Sequence, residues 1–168
     1  SSAASDVYKR QDILKKTCCF TGHRDISKIK AMELKLKLPK IIEKLITEKG
    51  VIYFGVGGAL GFDMLAEKAV LKLKKKYPFI KLILVLPCKN HNKNWKIADK
   101  LELNFIAKQA DKISYISENY TPYCITLRNR RLVNNSKYCI CYLNKPTGGT
   151  AYTVNYAQEN GLEIINLA

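Results

Sequence analysis

Residues 51–63 read Val-Ile-Tyr-Phe-Gly-Val-Gly-Gly-Ala-Leu-Gly-Phe-Asp, and this stretch decides the fold that the sequence predicts. Val51 to Phe54 form an apolar run typical of a buried strand, and a helical pattern begins near Met64. A strand that ends in glycines and opens a helix directs backbone N–H groups and the positive helix terminus at one point. We interpret residues 55–63 as a cradle for a phosphate or another anion. The alternative is a tight turn that needs glycine only for positive φ.

The spacing of these glycines excludes two common nucleotide motifs. Leu60 stands where the dinucleotide fingerprint requires a third glycine, and no Walker lysine follows the loop. The cradle is therefore predicted from its strand-to-helix context.

Apolar runs alternate with helical patterns along the rest of the chain. We expect Ser27 to cap the first long helix, Pro39 to kink or split it, and Pro87 to end the third strand. The alternation predicts an α/β fold, a Rossmann-like doubly wound parallel sheet with helices on both faces in one domain. In the order 3-2-1-4-5-6, the carboxyl ends of strands one, two and five would meet at the switch point. The six strands are predicted at 17–20, 51–54, 80–86, 112–116, 138–143 and 162–167.

The first eleven residues differ in character from the remainder. Residues 5–11 resemble the translation of a transposase-adapter sequence used in preparing sequencing libraries, which would make the chain a metagenomic fragment. We therefore treat residues 1–11 as a non-native or disordered tail and assign residues 12–168 to the domain.

Composition limits the classes of protein that this chain can form. With 168 residues and 47% hydrophobic content, the chain suffices for one domain with a buried core. No apolar run approaches the roughly 20 residues of a membrane span, and no signal peptide is evident, so a cytoplasmic protein is expected. Six cysteines without a CxxC pair and only two histidines predict free thiols and no metal site.

The net charge of +15 permits a nucleic-acid partner, since Lys and Arg outnumber Asp and Glu by 29 to 14. The lysines, however, spread over several predicted helix faces without interleaved aromatic residues. A solvated lysine-rich surface is the interpretation we favour over a dedicated nucleic-acid groove.

Polar residues follow several of the predicted strands. Arg24 and Arg128 could clamp a phosphate through paired guanidinium donors, or could form surface ion pairs. His23 could donate to a phosphate or cap a strand end. Asp63 could accept from a ribose hydroxyl, or could stabilise a helix dipole. Asn129 could contact a base edge, or could be an exposed amide.

A second glycine turn repeats the design of the first. Gly148, Gly149 and Thr150 precede a helix, so they could form a second anion site, with Thr150 as a simple N-cap under the alternative. Trp95 is expected to pack in the core or in a lid, and Tyr120 and Tyr123 are also predicted to be packing residues.

Five motifs taken in order resemble the YpsA-like branch of the SLOG superfamily, and the match covers nearly everything after residue 16. The motifs are residues 21–24 (Thr-Gly-His-Arg), residues 57–63 (Gly-Gly-Ala-Leu-Gly-Phe-Asp), residues 86–88 (Leu-Pro-Cys), residues 128–129 (Arg-Asn) and residues 148–150 (Gly-Gly-Thr). The resemblance implies a Rossmann-like fold that binds a nucleotide or a nucleotide-derived ligand and needs no cofactor. The ligand-binding candidates are Thr21, Gly22, His23, Arg24, Gly57, Gly58, Ala59, Gly61, Asp63, Arg128, Asn129, Gly148, Gly149 and Thr150.

The superfamily includes two other kinds of protein, which supply alternatives. A phosphoribohydrolase like the Lonely-guy (LOG) enzymes would use Arg128 and Asp63 as catalytic candidates. Thr153 stands where those enzymes carry a glutamate, and a neutral threonine cannot supply that carboxylate, so enzyme activity is left open. The second alternative is single-stranded DNA binding like that of DprA. Whether the chain forms a monomer or a homodimer is also left open.

Overall fold

Six strands and six helices alternate in a computed structural model of the protein, which describes residues 2–168. The strands are β1 (Thr17–Gly22), β2 (Tyr53–Val56), β3 (Lys81–Cys88), β4 (Lys112–Ser117), β5 (Tyr138–Tyr142) and β6 (Glu163–Asn166). The helices are α1 (Ser2–Lys15), α2 (Lys28–Lys49), α3 (Phe62–Lys74), α4 (Ile97–Gln109), α5 (Cys124–Asn134) and α6 (Gly149–Glu159). The predicted Rossmann-like alternation is confirmed.

All six strands pair in parallel in the order β4-β3-β2-β1-β5-β6. This order differs from 3-2-1-4-5-6, because the chain adds β4 beyond β3 before it crosses back to the other side of β1. The reversal lies between β1 and β5, where Cys19 pairs with Cys139. The ends of β1, β2 and β5 are consequently adjacent, which is the neighbourhood where ligands bind in such sheets.

Each face of the sheet carries its own hydrophobic cluster. Cys18 and Phe20 of β1 pack with residues of α2, α3 and α4, whereas Cys19 packs with residues of α5 and α6. This alternation follows from the period of two along a strand. Helices on both faces make the sheet doubly wound, and the predicted single domain is confirmed.

Three element boundaries differ from the sequence prediction. Strand β2 begins at Tyr53 and includes Gly55 and Val56, because these two residues pair with β3. Strand β3 runs through Pro87 to Cys88, beyond the last β2 partner at Leu84, where a missing proline N–H interrupts no pairing with β2. Helix α2 continues through Pro39, and the structure gives no physical reason for the tolerance.

The caps of α2 agree with the sequence. The Ser27 hydroxyl accepts from the Lys30 N–H at 3.2 Å, and Gly50 adopts a left-handed conformation at the other end. These two residues set the limits of the longest helix.

The N-terminal segment forms helix α1, in which no residue is buried. The interpretation of residues 1–11 as a foreign tail stays a prediction, and residue 1 lies outside the described residues. None of the helices in residues 2–168 combines the length and apolar composition needed to cross a membrane.

Candidate functional site

A cavity of about 290 Å³ lies at the carboxyl ends of β1 and β5. Its walls come from the loop after β1, the loop that enters α3, the first turns of α5 and the start of α6. We call this cavity the crevice. It is lined by Phe20, Thr21, Gly22, His23, Arg24, Ala59, Asp63, Ile125, Arg128, Asn129, Gly149 and Thr150.

The fold therefore brings together most of the residues that the sequence singled out, although they span more than 100 positions of the chain. Four predicted ligand-binding residues stand outside the lining. Gly57, Gly58 and Gly61 belong to the loop after β2, and Gly148 lines a neighbouring groove. Ligand binding by any of these residues stays a prediction.

The glycine loop after β2 differs from the open cradle that its sequence suggests. Arg128 Nη1 donates to the Gly57 carbonyl, and the Ala59 N–H donates to Asp63 Oδ2 at 3.1 Å. The Phe62 N–H at the start of α3 donates to the His23 carbonyl at 3.1 Å. The protein's own groups thus occupy much of the loop, which forms a fixed wall of the crevice.

Small size is required in this loop because Arg128 lies directly against it. A Cβ atom on Gly57 would lie 2.5 Å from Arg128 Nη1, closer than real contacts allow. Gly58 has a φ of +69°, which favours glycine, and its carbonyl accepts from His91 Nε2 at 3.0 Å. Arg128 and His91, which lie on distant elements, therefore form hydrogen bonds with two consecutive carbonyls of the loop.

Arg128 and Asp63 supply the buried charges at the crevice. Only 4% of Arg128 and 6% of Asp63 is exposed. Burial raises the pKa of Asp63, and the Arg128 charge and the Ala59 N–H oppose that rise. Burial also lowers the pKa of the Arg128 guanidinium, which Asp63 partly offsets. The Arg128 charge thus offsets part of the cost of burying the Asp63 carboxylate.

Glu67 is a residue that the sequence reasoning missed. It lies one helical turn after Asp63 on α3 and is fully buried, and neither carboxyl oxygen has a hydrogen-bond partner among residues 2–168. The Gly58 N–H lies near enough to favour the charged form without reaching hydrogen-bond geometry. Burial and the neighbouring Asp63 raise the pKa of Glu67 well above its usual value. Its position within the apolar stripe of α3 was the available signal.

Replacing Glu67 by methionine is expected to stabilise the protein by about 1–3 kcal/mol at pH 8, because a buried carboxyl without partners is costly. Methionine keeps an unbranched, helix-forming side chain of similar length. Because the folded-state pKa of Glu67 is raised, the native carboxyl lowers stability as the pH rises above about 4.3, the usual glutamate pKa. The gain measured by urea denaturation should therefore be larger at pH 8 than at pH 5.

Two variants control this experiment. Glu48→Met changes an exposed glutamate of α2 and should alter the free energy of unfolding by no more than about 0.5 kcal/mol. Glu67→Gln removes only the ionisable group, so the difference in unfolding free energy between Glu67→Gln and Glu67→Met should be the same at pH 5 and pH 8. An equal gain from Glu67→Met at both pH values would refute the ionisation argument.

The two histidines each form a hydrogen bond that links separate segments of the chain. His23 Nε2 accepts from the Asn144 N–H at 3.1 Å, which joins the end of β1 to the loop after β5. Burial and the nearby Lys145 lower the pKa of His23, in agreement with this acceptor role. His91, which the sequence reasoning did not select, holds the Gly58 carbonyl and packs edge-on against Trp95 at 5.3 Å.

The start of α6 has no side-chain cap and lies at the crevice. Its N-cap residue is Gly148, without a side-chain cap, so the predicted alternative of Thr150 as N-cap is wrong. The first N–H groups of a helix lack intrahelical partners, and here Gly149 and Thr150 line the crevice. Thr153 is buried and donates its hydroxyl to the Gly149 carbonyl at 2.9 Å. The exposed Arg24 lies on the same cavity.

The aromatic residues divide into two groups. Trp95 packs against the main core, as predicted. Tyr120 and Tyr123 are 67% and 72% exposed, so the prediction that they are packing residues is wrong. Both flank the loop that enters α5, where loop position places them on the surface.

The cysteines of β1 and β5 lie in buried strands, as predicted, and all six cysteines are buried free thiols. Within residues 2–168, no group of three or more His, Cys, Asp or Glu side chains is placed to hold a metal ion.

The parallel sheet with a polar crevice at its carboxyl end defines a Rossmann-like domain. The chain belongs to the YspA SLOG family, whose sequence model matches residues 18–164. The predicted membership of the YpsA-like branch is thereby confirmed.

Two relatives have no assigned function in their names. The chain is 32% identical over 143 residues to the uncharacterized SPbeta prophage-derived protein YoqJ of Bacillus subtilis (strain 168), covering 78% of this chain and 84% of that protein. It is 28% identical over 123 residues to a UPF0398 protein of Bacillus cereus, covering 70% of this chain and 67% of the relative.

Two solved structures share the fold. DNA processing protein A (DprA) of Streptococcus pneumoniae aligns with a TM-score of 0.66 at 22% identity, over 92% of this chain and 51% of that one. The chain therefore spans about half the length of the S. pneumoniae protein. DprA of Helicobacter pylori, described by its single-stranded DNA binding mode, aligns with a TM-score of 0.65 at 18% identity, over 94% of this chain and 67% of that one.

Proposed function

We propose that the crevice binds the phosphate of a nucleotide or a nucleotide-derived ligand, and that the protein senses this ligand. The observation that carries the proposal is the convergence of the uncapped α6 N-terminus and Arg24 on one cavity of about 290 Å³. A helix N-terminus favours anions, and a guanidinium group adds paired donors to phosphate oxygens.

Each wall of the crevice has a distinct part in this proposal. The phosphate accepts from the first N–H groups of α6 and from Arg24 at the rim. Arg128 adds fixed positive charge while it remains bound to the Gly57 carbonyl. The Thr21 and Thr150 hydroxyls line the same cavity and offer neutral donors. Asp63 accepts from a ribose hydroxyl.

The test is a thermal-shift titration with nucleoside monophosphates, ADP-ribose and inorganic phosphate. A ligand present at 100 times its Kd should stabilise the protein by about 2.7 kcal/mol. Arg24→Ala is expected to weaken binding at least about tenfold, since a charge-assisted contact is lost. Lys108→Ala removes an equal charge from α4, outside the crevice, and should leave the affinity unchanged. If no compound of the panel raises the midpoint of thermal unfolding, the proposal is refuted.

A second candidate function is single-stranded DNA binding, which the net charge of +15 and the DprA-like fold favour. Lysine contacts to phosphates would make oligonucleotide affinity fall steeply with salt. The same titration should include a single-stranded oligonucleotide at low and physiological salt. Absence of binding at low salt would remove this candidate.

Hydrolysis of a nucleoside monophosphate is not proposed. Thr153 occupies the glutamate position of the LOG motif, and among the described residues Asp63 is the only carboxylate that lines the crevice. Release of free base by the wild-type protein, lost in Asp63→Asn, would show that the protein is a hydrolase after all.

We also propose a cytoplasmic location, because the six free thiols suit a reducing compartment.

A further inference from the structure

A second cavity of about 580 Å³ lies beside the crevice, between the first turns of α5 and the start of α6. Its walls include Tyr123, Ile125, Leu127 and Tyr152, and we call it the aromatic groove. Tyr123 is 72% exposed, and Leu127 and Tyr152 are also exposed, so large apolar surfaces face solvent here. Exposed apolar surface concentrated in one groove is typical of a binding site.

The aromatic groove is continuous with the crevice. Ile125, Asn129 and Gly149 line both cavities. A ligand whose phosphate binds at the α6 N-terminus can therefore extend into the groove without crossing a wall. The two cavities differ in character, since charged and polar groups line the crevice and aromatic and aliphatic groups line the groove.

Arg130 fixes the ring of Tyr152 at the wall of the groove. Its Nε donates to the Tyr152 hydroxyl at 2.9 Å, and its Nη2 donates to the same oxygen. The Arg130 guanidinium also lies 5.3 Å from the centre of the Tyr156 ring, a cation–π distance. A ring held in this way loses little further freedom when a planar group stacks on it.

Gly149 leaves the passage between the two cavities open. A Cβ atom added there would meet no atom within 4 Å, and its φ lies outside the left-handed region that favours glycine. Neither packing nor backbone conformation within the described residues therefore requires glycine at this position. Close approach of a ligand to the backbone would explain why glycine occupies this position.

Asn129 stands where the two cavities meet. Its Oδ1 accepts from Arg128 Nε at 2.7 Å, which directs the Nδ2 group away from Arg128. An amide nitrogen held in this orientation can donate to an acceptor on the edge of a planar heterocycle.

We propose that the aromatic groove binds the base of the nucleotide whose phosphate occupies the crevice, with Tyr123 and Tyr152 as stacking surfaces and Asn129 as a donor to the base edge. This inference rests on the proposed function of the crevice. It narrows the ligand class to compounds that carry a nucleobase next to a phosphate, and sets inorganic phosphate and simple sugar phosphates apart as weaker ligands.

The experiment compares AMP with ribose 5-phosphate, which lacks the base, by titration calorimetry. Because one base stacked on an aromatic side chain changes affinity substantially, AMP should bind about 5- to 100-fold more tightly. Tyr123→Ala and Tyr152→Ala should each reduce that difference and leave the affinity for ribose 5-phosphate unchanged. Tyr120→Ala removes an equally exposed tyrosine outside the groove and should change neither affinity.

Gly149→Ala tests the same inference without a fold defect. The substitution adds a methyl group where the two cavities meet, so it should weaken AMP binding by steric contact with the ligand, while the midpoint of thermal unfolding should not fall. The inference would be overturned if AMP and ribose 5-phosphate bind with equal affinity and the tyrosine variants change neither affinity. That result would still support the phosphate site in the crevice. Failure of AMP, ribose 5-phosphate, a 5′-phosphorylated trinucleotide and every other compound of the panel to bind would instead refute the proposed function.

A 5′-phosphorylated trinucleotide identifies the source of the base. Tyrosine-dependent binding of either AMP or the trinucleotide supports the inference, and binding of the trinucleotide alone shows that the base belongs to a strand. Tyrosine-independent binding of both compounds would overturn it.

Discussion

Replacing Arg128 by methionine is expected to lower the free energy of unfolding by about 1.5–3 kcal/mol, because the Gly57 carbonyl loses its charged donor and the buried Asp63 loses a nearby positive charge. Asp63 would keep its buried position at the crevice and its hydrogen bond from the Ala59 N–H at 3.1 Å. Urea denaturation of the wild-type and variant proteins measures the difference.

The pH dependence separates charge from packing. Without Arg128, the pKa of Asp63 should rise further, so protonation at pH 4–5 should recover part of the lost stability. Arg131→Met, at an exposed position of the same helix, should change stability by no more than about 0.5 kcal/mol. A loss of the same size at pH 5 and pH 8 would show that lost packing, and not the unpaired carboxylate, is the cause.

Replacing Gly61 by alanine is expected to cost about 2–6 kcal/mol, through two effects that act together. Gly61 has a φ of +76° and a ψ of −118°, a sparsely populated conformation in which an L-residue is strained by about 1–3 kcal/mol. A Cβ atom there would also overlap the Arg24 carbonyl oxygen, and overpacking of this kind costs about 1–3 kcal/mol. The measurement is again the free energy of unfolding in urea.

Gly161 provides the control for a positive φ, since its φ is +77° and nothing lies within 4 Å of an added Cβ. Gly161→Ala should therefore show only the backbone strain of about 1–2 kcal/mol. Equal losses from the two substitutions would contradict the close approach of the Arg24 backbone to Gly61. A larger loss at Gly61 is the expected result, because its ψ of −118° and the close Arg24 backbone both add to the cost.

Local patterns were sufficient to predict the architecture. The continuous apolar run 80–86 predicted a strand covered on both faces, and β3 is buried along most of its length. The glycine turns before α3 and α6 predicted two strand-to-helix junctions, and both exist. Motif order along parallel strands then placed most candidate residues at one end of the sheet.

Local sequence patterns could not predict the contacts that join these junctions to other elements. Arg128 binds the carbonyl of Gly57 across 71 positions of the chain, and His91 binds that of Gly58 across 33. Such pairs depend on how α5 and the loop after β3 pack on the sheet. Glu67 was missed because a glutamate on a helix is by default assigned to the surface. Tyr120 and Tyr123 were misjudged because aromatic residues are by default assigned to the interior.

The reversal of strand order between β1 and β5 has a consequence for how the protein is made. Strands β1, β2 and β3 each pair with the next strand along the chain, so the part of the sheet from β1 to β4 can assemble from near neighbours as synthesis proceeds. Cys19 and Cys139, by contrast, must find each other across about 120 residues, a slow closure of high contact order. Since the crevice needs both ends, it cannot form in a nascent chain until β5 has docked, and under the proposed function ligand binding would report that this docking is complete.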